Sequence, residues 1–172
     1  MNNAVRHRIA GLLIAALVFL MDQGFKTWLV YGLKLHQKHL IELVPFFDLR
    51  WTQNFGVSLG LFTAGSPEGR WALVGMTAAI ALFVFVWMMR ERKIGDIFAL
   101  AMVLGGAAGN IRDRIEFGFV IDYADLHFGE WRPFLIFNLA DAAITIGVLI
   151  ILARSLLSSE KPEAKTEPAP ES

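Results

Sequence analysis

Apolar residues gather into four runs along the chain: Ile9 to Leu29, Trp71 to Met89, Ile94 to Ile111 and Phe134 to Ala153. Each is close to the roughly 20 residues that an α-helix needs to cross about 30 Å of hydrocarbon. Polar positions interrupt them sparingly. The first run holds Asp22 and Lys26, the second has no charge, and the third is rich in small residues ("LGGAAGN"). The fourth carries Asn138 and Asp141 close to its start. In the connection from Tyr31 to Arg70 the period changes. Phe47, Leu49 and Trp51 alternate with Asp48, Arg50 and Thr52, which predicts a half-buried strand. Asn54 and Gly56 then supply turn chemistry. The connection from Arg112 to Pro133 is mixed and aromatic, broken at Gly118 and Gly129. From Ser158 to Ser172 the chain is polar and proline-bearing, so residues 158–172 are expected to form a disordered cytoplasmic tail after a single membrane-embedded domain, 1–157.

The first run follows Arg6 and Arg8, as the core of a cleavable signal peptide would. No A-x-A pattern follows it, and "MDQGFKTWLVYGL" continues instead; a retained helix is expected. Composition agrees with a membrane chain: of 172 residues 55% are hydrophobic and 19% charged, with a mean hydropathy of +0.50. The formal net charge is zero, so the basic stripe of a nucleic-acid binder is missing. There is no cysteine, which excludes disulfides, thiolate metal sites and cysteine nucleophiles together. The turn "RERK", Arg90 to Lys93, is densely basic. Placing it inside gives four spans with both termini cytoplasmic and the two larger connections outside.

An aspartate at the centre of a spanning helix costs roughly 2.5–3.5 kcal/mol on insertion scales, so intramembrane acids draw attention as functional groups. Asn138 and Asp141, three apart, fall on one face of the fourth helix, and Thr145 continues that face. Asp122, in "VIDYAD", lies on the preceding outer connection, and the return of the chain could bring the two acids together. The plainer alternative leaves Asp141 hydrogen-bonded to a neighbouring helix and Asp122 in solvent. Asp22 and Lys26, spaced i,i+4, can pair in low dielectric. The segment "GGAAGNIRDR" offers close helix packing through its small residues and gathers Asn110, Asp113 and Arg114 at its outer end. His36 and His39 are three apart but lack a zinc motif such as H-E-x-x-H, and read as solvated loop histidines. A Ser58–Lys26 dyad is a further nucleophilic arrangement, although nothing local marks Ser58 as activated. A small channel or transporter would account for the intramembrane polar groups but not for Asp122. A noncatalytic assembly subunit would account for the small-residue helix alone.

Five blocks in order, "DQGFK", "NFGVSLGLF", "GGAAGNIRDR", "VIDY" and "FNLADAAI", resemble the lipoprotein signal peptidase (signal peptidase II) family of bacteria over nearly the whole chain up to the tail. The resemblance implies four transmembrane helices with a small periplasmic β-sheet cradle, in the bacterial inner membrane. It implies an aspartic endopeptidase that removes the signal peptide of prolipoproteins just before a diacylglyceryl-modified cysteine. The catalytic acids would be Asp122 and Asp141, near the outer leaflet. Asp22, Lys26, Asn54, Gly56, Asn110, Arg114 and Asn138 would shape the site or bind substrate. No metal or cofactor is expected, and the partners are lipidated precursors and membrane lipid, with the enzyme a monomer. The chain departs from the family pattern at Val57, Ser58 and Arg112.

Overall fold

The computed structural model describes residues 2–56 and 66–159. Helix α1 (Asn3–Thr27) runs on through a π-helical turn, Trp28–Gly32, to the short helix α2 (Leu35–Lys38). Strands β1 (Leu40–Val44) and β2 (Phe47–Asn54) follow, then helices α3 (Pro67–Arg90) and α4 (Ile94–Glu116), strand β3 (Val120–Leu126) and helix α5 (Leu139–Ser159). Among the described residues, four helical stretches are long and apolar enough to span a membrane. The starts of α1 and α3 are fixed by ordinary capping. Asn2 Oδ1 accepts from the Ala4 amide at 3.3 Å, and Ser66 Oγ accepts from Gly69 at 3.1 Å with Pro67 opening α3.

Helix α4 is the centre of the bundle and packs against α1, α3 and α5. Its small residues make this possible. A Cβ on Gly105 would stand 2.5 Å from the Ala15 carbonyl oxygen of α1, and one on Gly106 2.4 Å from that of Ala140 in α5, so neither neighbour could approach a larger side chain. Between α1, α3 and α4 lies an apolar core built on Ala15, Val84, Met88, Ile97 and Leu100. The other faces keep Leu13, Leu82, Phe83 and Leu149 exposed, as lipid-facing positions require. Basic groups gather at one end of the bundle: Arg154 Nε binds Asp96 Oδ1 at 2.6 Å, and His7 Nδ1 lies 3.2 Å from the Arg92 carbonyl beside the "RERK" turn.

At the opposite end the strands form one antiparallel sheet in the order β1-β2-β3. Thr52 stands opposite Asp122 and Asn54 opposite Val120, with an irregularity between Leu49 and Thr52. The sheet rests on its own small core of Leu29, Leu35, Leu49, Ile121 and Tyr123. Asp125, fully buried, clamps it: Arg50 Nε at 2.8 Å and Arg132 Nε at 3.0 Å bind its carboxylate. Burial alone would raise this acid, but the two guanidiniums hold it below the usual carboxylate range.

Two expectations change. The fourth apolar run does not become helical at Phe134; α5 begins at Leu139. The residues before it bend at Pro133 and Phe134 and stay outside the helix, and Phe137 pairs with Ala124 of β3, because a run of Phe, Leu and Ile suits a strand edge as well as a helix. At its other end α5 continues through Ser159, just past the expected start of the tail; residues 160–172 lie outside the described ones.

Candidate active site

The site grows out of the stitching of this return segment onto β3. Ala124 donates to the Phe137 carbonyl at 2.8 Å, Phe137 donates back at 3.2 Å, and the Leu139 amide donates to the buried Tyr123 hydroxyl at 3.0 Å. Burial raises the Tyr123 phenol above its usual value, so the hydroxyl stays neutral. The consequence is positional: the chain is turned so that Asn138 meets Asp122.

Asn138 precedes α5 rather than lying within it, and with Asp141 it closes a reciprocal cap. Its Oδ1 accepts from the Asp141 amide at 2.9 Å, while its own amide donates to Asp141 Oδ2 at 3.2 Å. This is the capping-box arrangement with Asn at the cap and an acid three residues on. With Oδ1 committed, Nδ2 is left to donate, and it does so to Asp122 Oδ1 at 2.6 Å and Asn110 Oδ1 at 3.2 Å. One residue therefore bonds both carboxylates. Asn110 Nδ2 reaches the other oxygen of Asp141, Oδ1, at 2.7 Å.

Asn54 completes the ring in the same sense. Its Oδ1 accepts from the Gly56 amide at 2.9 Å, closing an Asx turn at the point where Gly56 takes a left-handed φ of +87°, and its Nδ2 donates to Asp122 Oδ2 at 2.9 Å. Each carboxylate thus receives two N–H donors. Asp122 is nonetheless buried, 2% exposed. Burial, then the nearby charge of Asp141, pushes its carboxyl up to about 6 against the pull of Asn54, Asn138 and Lys26. Asp141 is half-buried and so stays reachable.

Behind the acids lies a buried ionic cluster. Lys26 Nζ binds Asp22 Oδ2 and Asp113 Oδ2, each at 2.8 Å, and all three residues are buried. The pairing expected between Asp22 and Lys26 is present, but the cation serves a second acid from α4 as well. Gln23 Nε2 ties the two acids together, at 3.0 Å from Asp22 Oδ2 and 2.9 Å from Asp113 Oδ1. The cluster reaches the site at three points. Asp22 Oδ1 accepts from the Ala140 amide in the first turn of α5 at 3.1 Å, Asp113 Oδ2 from the Ile121 amide beside Asp122 at 3.2 Å, and Lys26 Nζ lies 3.5 Å from Asn110 Oδ1.

Comparison with known proteins places the chain. A profile of the family described as Signal peptidase (SPase) II matches residues 14–157. The chain belongs to the signal peptidase II family. It is 53% identical over 155 residues to the lipoprotein signal peptidase of Rhizorhabdus wittichii, covering 90% of each chain. To that of Sphingopyxis alaskensis it is 52% identical over 151 residues, covering 88% of this chain and 87% of the relative. A solved bacterial membrane enzyme, obtained by the in meso method at 1.9 Å, is similar at a TM-score of 0.73 and 27% identity, over 86% of this chain and 92% of that one. The protein is accordingly a multi-pass membrane peptidase.

Within this peptidase the residues singled out from sequence are largely brought together. Asp122, Asp141, Asn54, Asn110 and Asn138 share one hydrogen-bond network, Gly56 orients Asn54, and Asp22 with Lys26 backs the site. Arg114 stands at the edge: its Nη1 donates to the Asn110 carbonyl at 3.4 Å. Ser58 and Val57 lie outside the described residues. Of the two histidines expected in a solvated loop, His39 is exposed between α2 and β1, whereas His36 sits half-buried on α2. Three residues carry roles that the sequence leaves unassigned. Sequence reading groups Asp113 with Asn110 and Arg114 at the outer end of the third run but gives it no part in the site. Gln23 and Tyr123 act through partners far along the chain, and nothing in their own neighbourhoods announces it. Beside Asp141 opens an apolar groove of about 310 Å³ lined by Phe134, Leu135, Phe137, Thr145 and Ile146.

Proposed function

We propose that the protein removes signal peptides from diacylglyceryl-modified prolipoproteins, with Asp122 and Asp141 acting as an aspartic-protease pair. The observation that carries the reading is Asn138, whose side chain and backbone bond one carboxylate each. Two acids so close cannot both ionise readily and share a proton, and the elevated carboxyl of Asp122 accords with that. The pair titrates as a unit.

In the proposed cycle the ionised carboxylate takes a proton from water as its oxygen attacks the scissile carbonyl. The neutral carboxyl gives its proton to the carbonyl oxygen, and a neutral tetrahedral diol results. A proton then passes from the acid that gained one to the amide nitrogen, the C–N bond breaks, and a diol proton returns to the pair. The products are the signal peptide's carboxyl terminus and the free amine of the lipidated cysteine. The N–H donors from Asn54, Asn110 and Asn138 hold the carboxylates in place throughout, with the reorganisation already paid in folding.

The apolar groove at Asp141 suits an acyl chain running beside the scissile bond. Lys26, bonded to Asp22 of its own helix and Asp113 of α4, braces the two helices against each other. Orientation follows from the basic end of the bundle, which we assign to the cytoplasm of a bacterial inner membrane, with both termini there and the acids near the outer leaflet. The test is a gel-shift assay with purified protein. A diacylglyceryl-modified precursor should yield the shorter product and an unlipidated precursor should not. No product, or equal cutting of both, would overturn the assignment.

A further inference from the structure

A second cavity, of about 460 Å³, opens on the far face of the sheet from the paired acids. Ile121 and Gln53, which line it, are partners in register and alternate along their strands with Asp122 and Thr52, so they point to the opposite face. The cavity backs onto Gln23 and Lys26 of the ionic cluster, and its other polar groups are ones that the peptidase chemistry leaves unused. His36 and His39 both line it, as do Arg112, the departure from the family pattern, and Glu116. His36 Nδ1 is buried and meets no hydrogen-bond partner. Among the described residues, no group of three metal-ligating side chains forms here or elsewhere, so the histidines have no third ligand for a cation.

The walls are built to an unusual plan. One comes from the π-helical turn that carries Val30 and Tyr31, and such turns are frequent at functional sites. Lys34 and His39, the non-glycine residues with positive φ among those described (55° and 63°), bracket the short helix that presents His36, and backbone of this kind persists where something over-determines it. Trp51, Phe117 and Phe119 supply aromatic surface. Arg112 donates through Nη1 to Gln23 Oε1 and pairs through Nη2 with Glu116 at 2.6 Å; both members of that pair are more than two-fifths exposed, and a pair so placed contributes little and is easily exchanged. Tyr31, 71% exposed, and Trp28, 50% exposed, mark this end of α1 as the level of the membrane–water interface.

We infer that this cavity holds the head of a phospholipid bearing both a phosphate and a primary ammonium, of the phosphoethanolamine type. The phosphate would be taken by Arg112 and the two histidines. The ammonium would be taken by Glu116 and the aromatic faces, with the acyl chains descending along Thr27 and Val30. A head with phosphate alone would leave Glu116 facing an anion. A quaternary ammonium has no N–H to give it.

The experiment is native mass spectrometry of the detergent-purified full chain, titrated with phosphatidylethanolamine, phosphatidylglycerol and phosphatidylcholine of one acyl composition. Phosphatidylethanolamine should be retained about 10-fold better than the other two, the scale of one charge-assisted hydrogen bond. Glu116→Gln, at an exposed position where folding is not at stake, should abolish that preference. Glu116→Lys should turn it toward phosphatidylglycerol, and His36→Ala should weaken retention of both. Equal retention of all three lipids overturns the inference, as does an unchanged preference in both Glu116 variants. Occupancy by free phosphoethanolamine without retention of the lipid would overturn the assignment to a membrane source.

Discussion

Replacing Lys26 by Met tests the ionic cluster behind the site. Lys26 is 2% exposed and its two partners, Asp22 and Asp113, are fully buried. Without the ammonium, two carboxylates held by the same Gln23 amide face each other in low dielectric. Removing one partner of a buried pair costs about 3–5 kcal/mol. At about 2–4 °C per kcal/mol for a chain of this size, Lys26→Met should lower the thermal midpoint by roughly 6–20 °C. Asp22→Asn is a milder change, because Lys26 keeps Asp113 at 2.8 Å and the amide oxygen can still accept from Ala140. It should cost about 1.5–3 kcal/mol, the worth of one hydrogen bond to a charged group. The sharper expectation is a change of sign. In the Lys26→Met background, Asp22→Asn or Asp113→Asn should restore part of the lost stability, since each removes an unpaired charge. The assay is thermal unfolding of the purified variants in one detergent, followed by intrinsic fluorescence. If Lys26→Met is no worse than Asp22→Asn, or if Asp22→Asn further destabilises it, the cluster does not work as described.

Three further outcomes follow from the site. Because the Asp122 carboxyl lies at about 6, kcat/KM should fall as pH rises through that region; Asn54→Ala, which removes a donor favouring the ionised form, should move the limb upward. The same elevation acts on stability: from the ordinary 3.8 to about 6 the folded chain binds the extra proton, so stability drops as pH rises across that window and levels above it. Thermal unfolding of Asp122→Asn should therefore show an advantage over the parent that grows between pH 4 and 6 and then stays constant. Gly56→Ala places a Cβ at φ +87° and 2.4 Å from Leu73 Cδ1, so turnover should fall, on the order of 10-fold for about 1–2 kcal/mol of left-handed strain passed to Asn54. Adding Leu73→Ala should recover only the part due to the clash in a cleavage assay.

Hydropathy made the bundle legible, because spanning a bilayer demands long apolar runs that few other structures need. The sheet was half legible. Alternation revealed β2, but β3 is buried along nearly its whole length and so carries no period of two. The run before α5 reads as helix by composition, and only Asn138 followed by Asp141 three residues later marks the true start. The acids themselves stood out as charges where charges are costly. Their spatial union was not legible from spacing, since it depends on Phe137 pairing with Ala124 and on Asn54 arriving from another strand. Resemblance of the motif blocks supplied what local physics could not. The second partner of Lys26 and the cavity holding His36 and Arg112 arise from contacts between distant segments, which composition does not encode.

The claim at the centre is that Asp122 and Asp141 together activate water. It is tested most directly by cleavage of a diacylglyceryl-modified precursor by Asp122→Asn, Asp141→Asn and the double variant, with precursor binding measured alongside. Each single variant should fold, bind the precursor and lose about 10²–10⁴-fold in turnover, the usual contribution of general acid–base catalysis. The double variant should be little worse, because the pair acts as a unit. A folded, precursor-binding Asp141→Asn that still cleaves at near the parent rate would contradict the account.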